Sequence, residues 1–102
     1  MARRKPPNRR PPDPAPVLER AVLSDEQEAA LRRTLGERVK QARLELELTQ
    51  EQVGHAFGRV QTWVREVEAG RTAAQPYMVV ALAAASGRSV AWFYGEPDRK
   101  RD

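Results

Sequence analysis

The chain has 102 residues, enough for one small domain, and 18 basic residues against 14 acidic ones give it a net charge of +4. It contains no cysteine, which excludes a disulfide framework and thiolate metal sites and favours a reducing, cytoplasmic location. Its longest apolar run, residues 78–85, is far shorter than the ~20 residues of a membrane span. The N-terminus lacks the apolar segment of a signal peptide. We therefore expect a soluble protein with no membrane partner.

The positive charge is concentrated in residues 1–16, MARRKPPNRRPPDPAP, which carry five basic side chains and one acidic one. Residues 17–102 carry 13 of each sign. Six prolines and no hydrophobic periodicity predict a disordered arm outside the core. Such an arm either follows nucleic-acid phosphates or a minor groove, or serves only as a solubilising tail. Its basic residues are Arg3, Arg4, Lys5, Arg9 and Arg10.

Residues 17–34 are predicted to form a helical extension before the main domain. Residues 17–23 are apolar enough for a helical turn or two, and Ser24 and Gln27 have the spacing of a capping box. A helix should therefore run from Asp25 to about Glu47, with acidic residues in its first turn. Its apolar stripe consists of Leu31, Leu35, Val39, Ala42 and Leu46.

Gly36 lies inside this predicted helix and marks a possible bend or break between the extension and the first helix of the domain. The extension either packs on a second subunit or covers its own domain.

Residues 49–70, TQEQVGHAFGRVQTWVREVEAG, predict two short helices joined by a tight turn. Thr49 and Gln52 form a second capping box, and Gly58 ends the first helix. Gly54 costs about 1 kcal/mol within a helix, so we expect it to allow a close crossing of the two helices. The residues expected to face inward from the second helix are Val60, Val64 and Val67.

Two further helices are predicted after this segment. Pro76 suits the first turn of one, and Ser89 caps the other, which runs from Val90 to about Tyr94. The expected apolar residues are Met78, Val79, Leu82, Ala83, Trp92 and Phe93. Residues 97–102 are a polar tail, and no strand pattern occurs, so the predicted fold is all-α with five helices.

The segment resembles the Cro/repressor type of helix-turn-helix, the family of the lambda repressor. The matching residues are Thr49, Gln50, Glu51, Gly54, Gly58, Gln61, Val64, Val67, Glu68 and Gly70. The similarity extends back to Leu35 and forward to Phe93. It implies a lambda-repressor-like domain over residues 35–96, with its motif at 49–70, that binds double-stranded DNA.

The resemblance also implies functional residues. Base reading falls to the second motif helix, since glutamine can pair with adenine and arginine with guanine in the major groove. The candidates for base reading are Gln61, Thr62, Arg65 and Glu66. The candidates for contacts to the DNA backbone are Thr49, Gln50, Arg59, Trp63, Arg71 and Thr72. Arg43 and Glu68 match the internal ion pair of the family, while Gln50 and Gln61 could instead be ordinary solvated surface.

Among the positions that depart from the family pattern, Trp63 and Glu47 leave alternatives open. Trp63 stands where the family has a small residue; it could stack on sugar or a thymine methyl, contact a protein, or be buried against the first motif helix. Glu47 stands where a glycine is usual, so it either adopts a left-handed conformation or the connection differs.

The sequence thus leads to the hypothesis of a transcriptional regulator, a repressor that acts as a homodimer on a palindromic operator in the nucleoid. The alternative is a protein-interaction module, such as an antitoxin, with the same fold. We predict no enzyme, cofactor, metal or small-molecule substrate. His55 is the only histidine, and the nearby glutamates lack the spacing of metal ligands.

Overall fold

The computed structural model describes residues 18, 19 and 21–97. The helices that lie wholly within these ranges are α1 (Asp25–Glu45), α2 (Gln50–Ala56), α3 (Gln61–Glu68), α4 (Pro76–Ser86) and α5 (Val90–Phe93); residues 18, 19 and 21 are helical as well. No strand occurs in this part of the chain, so the prediction of an all-α fold with five helices is confirmed. The predicted arm and nearly all of the polar tail lie outside the described residues. No helix within the described ranges has the length and apolar character needed to cross a membrane.

The first helix begins at the predicted capping box. Ser24 Oγ accepts the Gln27 N–H at 3.1 Å, and Gln27 Oε1 accepts the Ser24 N–H at 2.8 Å. The break suggested for Gly36 does not occur, because α1 continues through it. A Cβ at Gly36 would lie 2.4 Å from the Val67 carbonyl oxygen. The glycine therefore allows α3 to approach the backbone of α1.

The core lies where α1 packs against α3, α4 and α5. Further contacts join α2 to α3 and α4 to α5. The buried residues of the core are Leu35, Val39, Ala42, Val53, Val64, Val67, Met78, Val79, Leu82, Ala83, Trp92 and Phe93. Leu46 is half-buried against this core, but Leu31 is exposed, since the first turns of α1 extend beyond the other helices.

The end of the predicted extension contacts its own domain. Arg32 Nε donates to the Gly70 carbonyl at 3.3 Å, and a Cβ at Gly70 would meet the Arg33 side chain at 3.0 Å. Most of the preceding residues of α1, from Asp25 to Leu31, are exposed. Of the predicted extension, the turn that contains Arg32 and Arg33 therefore contacts the rest of the domain, at Gly70 just after α3.

The expectation that Val60 faces inward is wrong. Its side chain is 70% exposed, whereas Val64 and Val67 are fully buried. Val60 is the N-cap of α3, with extended backbone angles. The helical periodicity that places the other two valines in the core therefore does not apply to it.

Two turn residues have left-handed backbone conformations, and a glycine within α2 allows close packing. Glu47 adopts a left-handed conformation with φ of 58°, one of the two alternatives predicted for it. Gly58 has φ of 66° in the turn between α2 and α3. A Cβ at Gly54 would lie 2.9 Å from the Arg59 carbonyl oxygen, so Gly54 permits the close packing expected of it.

Cationic side chains enclose the ring of Trp92 in the last helix. The guanidinium of Arg88 lies 3.9 Å from the ring centroid, and that of Arg38 lies 4.6 Å away. Arg88 also donates to Glu45 at the end of α1. These contacts fasten α5, which is too short to be stable alone, to the first helix.

Candidate nucleic-acid interface

The polar side of α3 is open to solvent. Gln61, Thr62 and Arg65 are exposed, while Val64 and Val67 hold the opposite side of the helix in the core. The two ends of the exposed row differ in chemistry, with an amide at the beginning of the helix and a guanidinium one turn later. Both groups can donate hydrogen bonds to the edges of bases in the major groove, which is wide enough for a helix. The amide can also accept a hydrogen bond from a base.

A chain of hydrogen bonds leads from this surface into the protein. Gln61 Nε2 donates to Gln50 Oε1 at 3.4 Å, and Gln50 Nε2 donates to Glu68 Oε1 at 3.1 Å. Glu68 in turn accepts from Arg43 Nε at 2.7 Å and from Nη2 at 3.0 Å. Gln50 is therefore a half-buried link between the ion pair and Gln61.

The structure brings Arg43 and Glu68 together as an internal pair, with side chains that are 9% and 4% exposed. Arg43 Nη1 also donates to the Leu48 carbonyl at 2.9 Å. The pair thus joins α1, α3 and the segment between α1 and α2. Because both charges have several hydrogen-bond partners, their burial is compensated.

Glu66 and Arg71 form a second ion pair, at the far end of α3, and Arg71 donates from two nitrogens to the two carboxylate oxygens. This hydrogen bond holds the pKa of the Glu66 carboxyl below its ordinary value and raises that of Arg71. The backbone N–H of Thr72 donates to the Glu66 carbonyl at 3.3 Å. Glu66, a predicted base reader, and Arg71, a predicted phosphate contact, are therefore paired with each other in the free protein.

Aromatic side chains support the turn between α2 and α3. The Trp63 ring packs edge-on to Phe57 with centroids 6.3 Å apart, and the Arg59 guanidinium lies 4.8 Å from the Trp63 centroid. Trp63 is half-buried, which is nearest to the third alternative predicted for it. Arg59 Nη2 also donates to Tyr77 Oη at 3.4 Å.

The sequence did not predict a role for Tyr77, whose ring centroid lies 5.6 Å from the ring centroid of Phe57. Pro76 predicts that Tyr77 is in the first turn of a helix, but its position beside the α2–α3 turn is a tertiary feature without a local signal. Thr49, by contrast, is occupied as an N-cap, since its Oγ1 accepts the Gln52 N–H at 3.0 Å.

The basic residues of the arm lie outside the described residues. His55 is exposed on α2. Among the residues described, no group of three or more histidine, cysteine, aspartate or glutamate side chains could hold a metal ion.

Comparison with known proteins assigns this arrangement to a family. No curated protein matches the chain significantly. A family model described as a helix-turn-helix domain matches residues 34–92, more than half of the chain. This range contains α2, the turn and α3, as well as the ion pair that joins them to α1. The chain therefore belongs to the helix-turn-helix domain family, a domain that indicates DNA binding.

Proposed function

We propose that this protein is a sequence-specific regulator of transcription that reads double-stranded DNA with α3. The observation that carries the proposal is the exposed row of Gln61, Thr62 and Arg65 on a helix whose other side is buried. In helix-turn-helix proteins the second helix enters the major groove, and its N-terminal residues reach the base edges.

The exposed side chains have the chemistry that such a groove requires. Gln61 can form two hydrogen bonds with adenine, and Arg65 can form two with guanine. Each such pair is worth roughly 1–3 kcal/mol of discrimination. The hydrogen bond from Gln61 to Gln50, which is itself bonded to the buried ion pair, favours one position of the Gln61 side chain and so reduces the conformational entropy lost when it binds a base.

Backbone contacts are proposed on both sides of α3. Gln50 and Thr49 lie at the N-terminus of α2, Arg59 is supported by the Trp63 ring, and Arg71 with Thr72 follows α3. Phosphate contacts fix the position of the helix but carry no sequence information by themselves. Arg71 can exchange Glu66 for a phosphate, which would release the Glu66 carboxylate as an acceptor for a cytosine amino group.

We infer that the protein acts as a homodimer on a palindromic operator. One α3 presents three exposed readers, which specify few base pairs, whereas two copies on inverted half-sites double that number. A two-fold dimer would place its recognition helices about 34 Å apart, one turn of DNA. Occupancy of such a site would repress transcription by excluding the polymerase.

The proposed division of labour follows these assignments. Residues 35–96 form the DNA-binding domain, residues 17–34 are a helical extension before it, of which residues 25–34 are continuous with its first helix, and the arm adds phosphate contacts. The alternative of a protein partner on the α3 surface is motivated by Trp63 and by the net charge of zero over residues 17–102. The Trp63 ring is half-buried and packs against Phe57 and Arg59, which leaves less of it for a partner, so we favour DNA.

Selection of bound sequences from a random duplex pool tests the proposal. We expect a palindromic consensus, and sedimentation of the complex should give two chains per duplex. Gln61→Ala and Arg65→Ala should each weaken binding to the selected duplex about 10- to 100-fold and relax the preference at one base pair.

Lys40→Ala is the matched control, because Lys40 is exposed on α1 beside Leu44, outside the proposed interface. It should bind the selected duplex like the parent. If Gln61→Ala and Arg65→Ala retain affinity and base preference, the assignment of α3 as the reading helix is wrong.

A further inference from the structure

Val60 is an exposed apolar side chain at the beginning of the proposed reading helix. At 70% exposure it equals Val22 as the most exposed large hydrophobic residue in the described part of the chain. It lies in an open groove whose other lining residues are polar or charged: Glu51, Gln52, His55, Arg59 and Gln61. Val60 is therefore the one residue with an apolar side chain among those that line this groove.

Val60 departs from the residue types that normally begin a helix. An N-cap is normally serine, threonine, aspartate or asparagine, whose side chain accepts a backbone N–H of the helix. Val60 is the N-cap of α3 and makes no such bond. Threonine has nearly the same shape, would cap the helix and would be better solvated. Residues that contradict local rules without a structural benefit are concentrated at functional sites.

The position of Val60 indicates what it could contact. It immediately precedes Gln61, at the end of α3 that reaches base edges in this motif. The major groove contains one distinctive apolar group, the 5-methyl group of thymine. A valine side chain that touches this methyl removes apolar surface of both partners from water, which a serine or threonine hydroxyl would not do as well.

We propose that Val60 is a specificity-determining residue that contacts the 5-methyl group of a thymine beside the base pair read by Gln61. This inference rests on the proposed function, since it requires α3 in the major groove. The Val60 contact would add a preference for thymine that hydrogen bonding by Gln61 does not supply, because Gln61 recognises the polar edge of adenine and Val60 the methyl group of thymine.

Uracil substitution tests this contact, because uracil differs from thymine only by the missing methyl. The probe is the duplex selected from the random pool by the full chain, with each thymine replaced by uracil one position at a time. At one position in each half-site, we expect uracil to weaken binding about fourfold, the factor for one buried methyl-sized group.

Two variants separate the contact from stability. Val60→Ala should remove the uracil effect at that position. Val60→Ser should remove it as well, although its melting temperature should rise because serine caps α3. Val80→Ala, at an exposed valine on α4, is the control and should keep the full uracil effect.

The contact is excluded if no uracil position weakens binding by the parent, or if Val60→Ala and Val60→Ser both keep the uracil effect at the size seen in the parent. When the selected duplex remains sensitive to Gln61→Ala, those results overturn only the assignment of Val60. Failure to select any duplex sequence overturns the proposed function and this inference together.

Discussion

At the scale of single residues, the ion pair between Arg43 and Glu68 should contribute strongly to stability. Arg43→Ala would leave the Glu68 carboxylate buried without its main partner. We expect a loss of about 3–5 kcal/mol in the free energy of unfolding, measured by denaturant titration followed by circular dichroism.

Arg71→Ala provides the comparison, because Arg71 is 61% exposed in its pair with Glu66. An exposed pair contributes little to stability because solvent screens it, so the free energy of unfolding of this variant should remain close to that of the parent. A similar small loss for Arg43→Ala would show that the buried pair has no structural role.

The same exposed pair predicts a measurable titration. The Arg71 hydrogen bond stabilises the charged form of Glu66, so the pKa of its carboxyl lies below the ordinary value of 4.5. The pair is fully formed above the pKa that the Glu66 carboxyl has in the unfolded chain. It is lost as the pH falls through the lower pKa that this carboxyl has in the folded protein. NMR titration of the Glu66 carboxyl should show this, and Arg71→Gln should return the pKa towards 4.5. An unchanged pKa in that variant would mean that Arg71 is not the cause.

The sequence could predict which residues lie on the polar side of α3, since that follows from helical periodicity. It could not predict that Gln50 bonds Glu68, or that Glu66 and Arg71 pair, because side-chain partners depend on the distances between elements. Val60 was misplaced for a related reason. Periodicity does not show at which residue a helix begins when the N-cap is not a capping residue.

At the scale of helices, two glycines set how closely the elements pack. Alanine at Gly36 should favour an isolated helix by up to about 1 kcal/mol, but its Cβ would lie 2.4 Å from one α3 carbonyl oxygen and 2.8 Å from the next. Since both atoms are backbone, α1 and α3 would have to separate. We expect Gly36→Ala to lower the free energy of unfolding by about 3 kcal/mol or more.

Gly54→Ala should cost less, since its closest contact would be 2.9 Å and the next 3.2 Å. Glu37→Ala, exposed on the same helix as Gly36, should change stability by at most about 0.5 kcal/mol. Denaturant unfolding of the three variants gives the order directly. If Gly36→Ala is neutral or stabilising, the close contact of α1 with α3 is not a feature of the folded protein.

Helix beginnings were more predictable than helix packing. Ser24 with Gln27, and Thr49 with Gln52, form their capping boxes as predicted, because each box is closed by residues three positions apart. Gly36 was ambiguous because a glycine within a helix is compatible with a break and with a close neighbour. Only the position of α3 distinguishes the two.

At the scale of the whole molecule, the distribution of charge predicts how binding responds to salt. All of the net charge of +4 belongs to residues 1–16, since residues 17–102 carry equal numbers of acidic and basic side chains. A neutral domain gains little long-range attraction to DNA. We therefore expect the arm to supply most of the salt-dependent affinity, while α3 supplies base preference.

Replacing the five basic residues of the arm by glutamine tests this division in the full chain. Each phosphate neutralised contributes about 0.9 to the slope of log K against log salt, so the slope should become shallower by up to about 4.5. The consensus from the random duplex pool should stay the same, because phosphate contacts do not specify sequence. Arg65→Ala is the converse control: it should alter the consensus while leaving most of the slope. An unchanged slope in the arm variant would mean that the arm does not contact DNA, whereas a changed consensus would mean that it also reads bases, as an arm in the minor groove can.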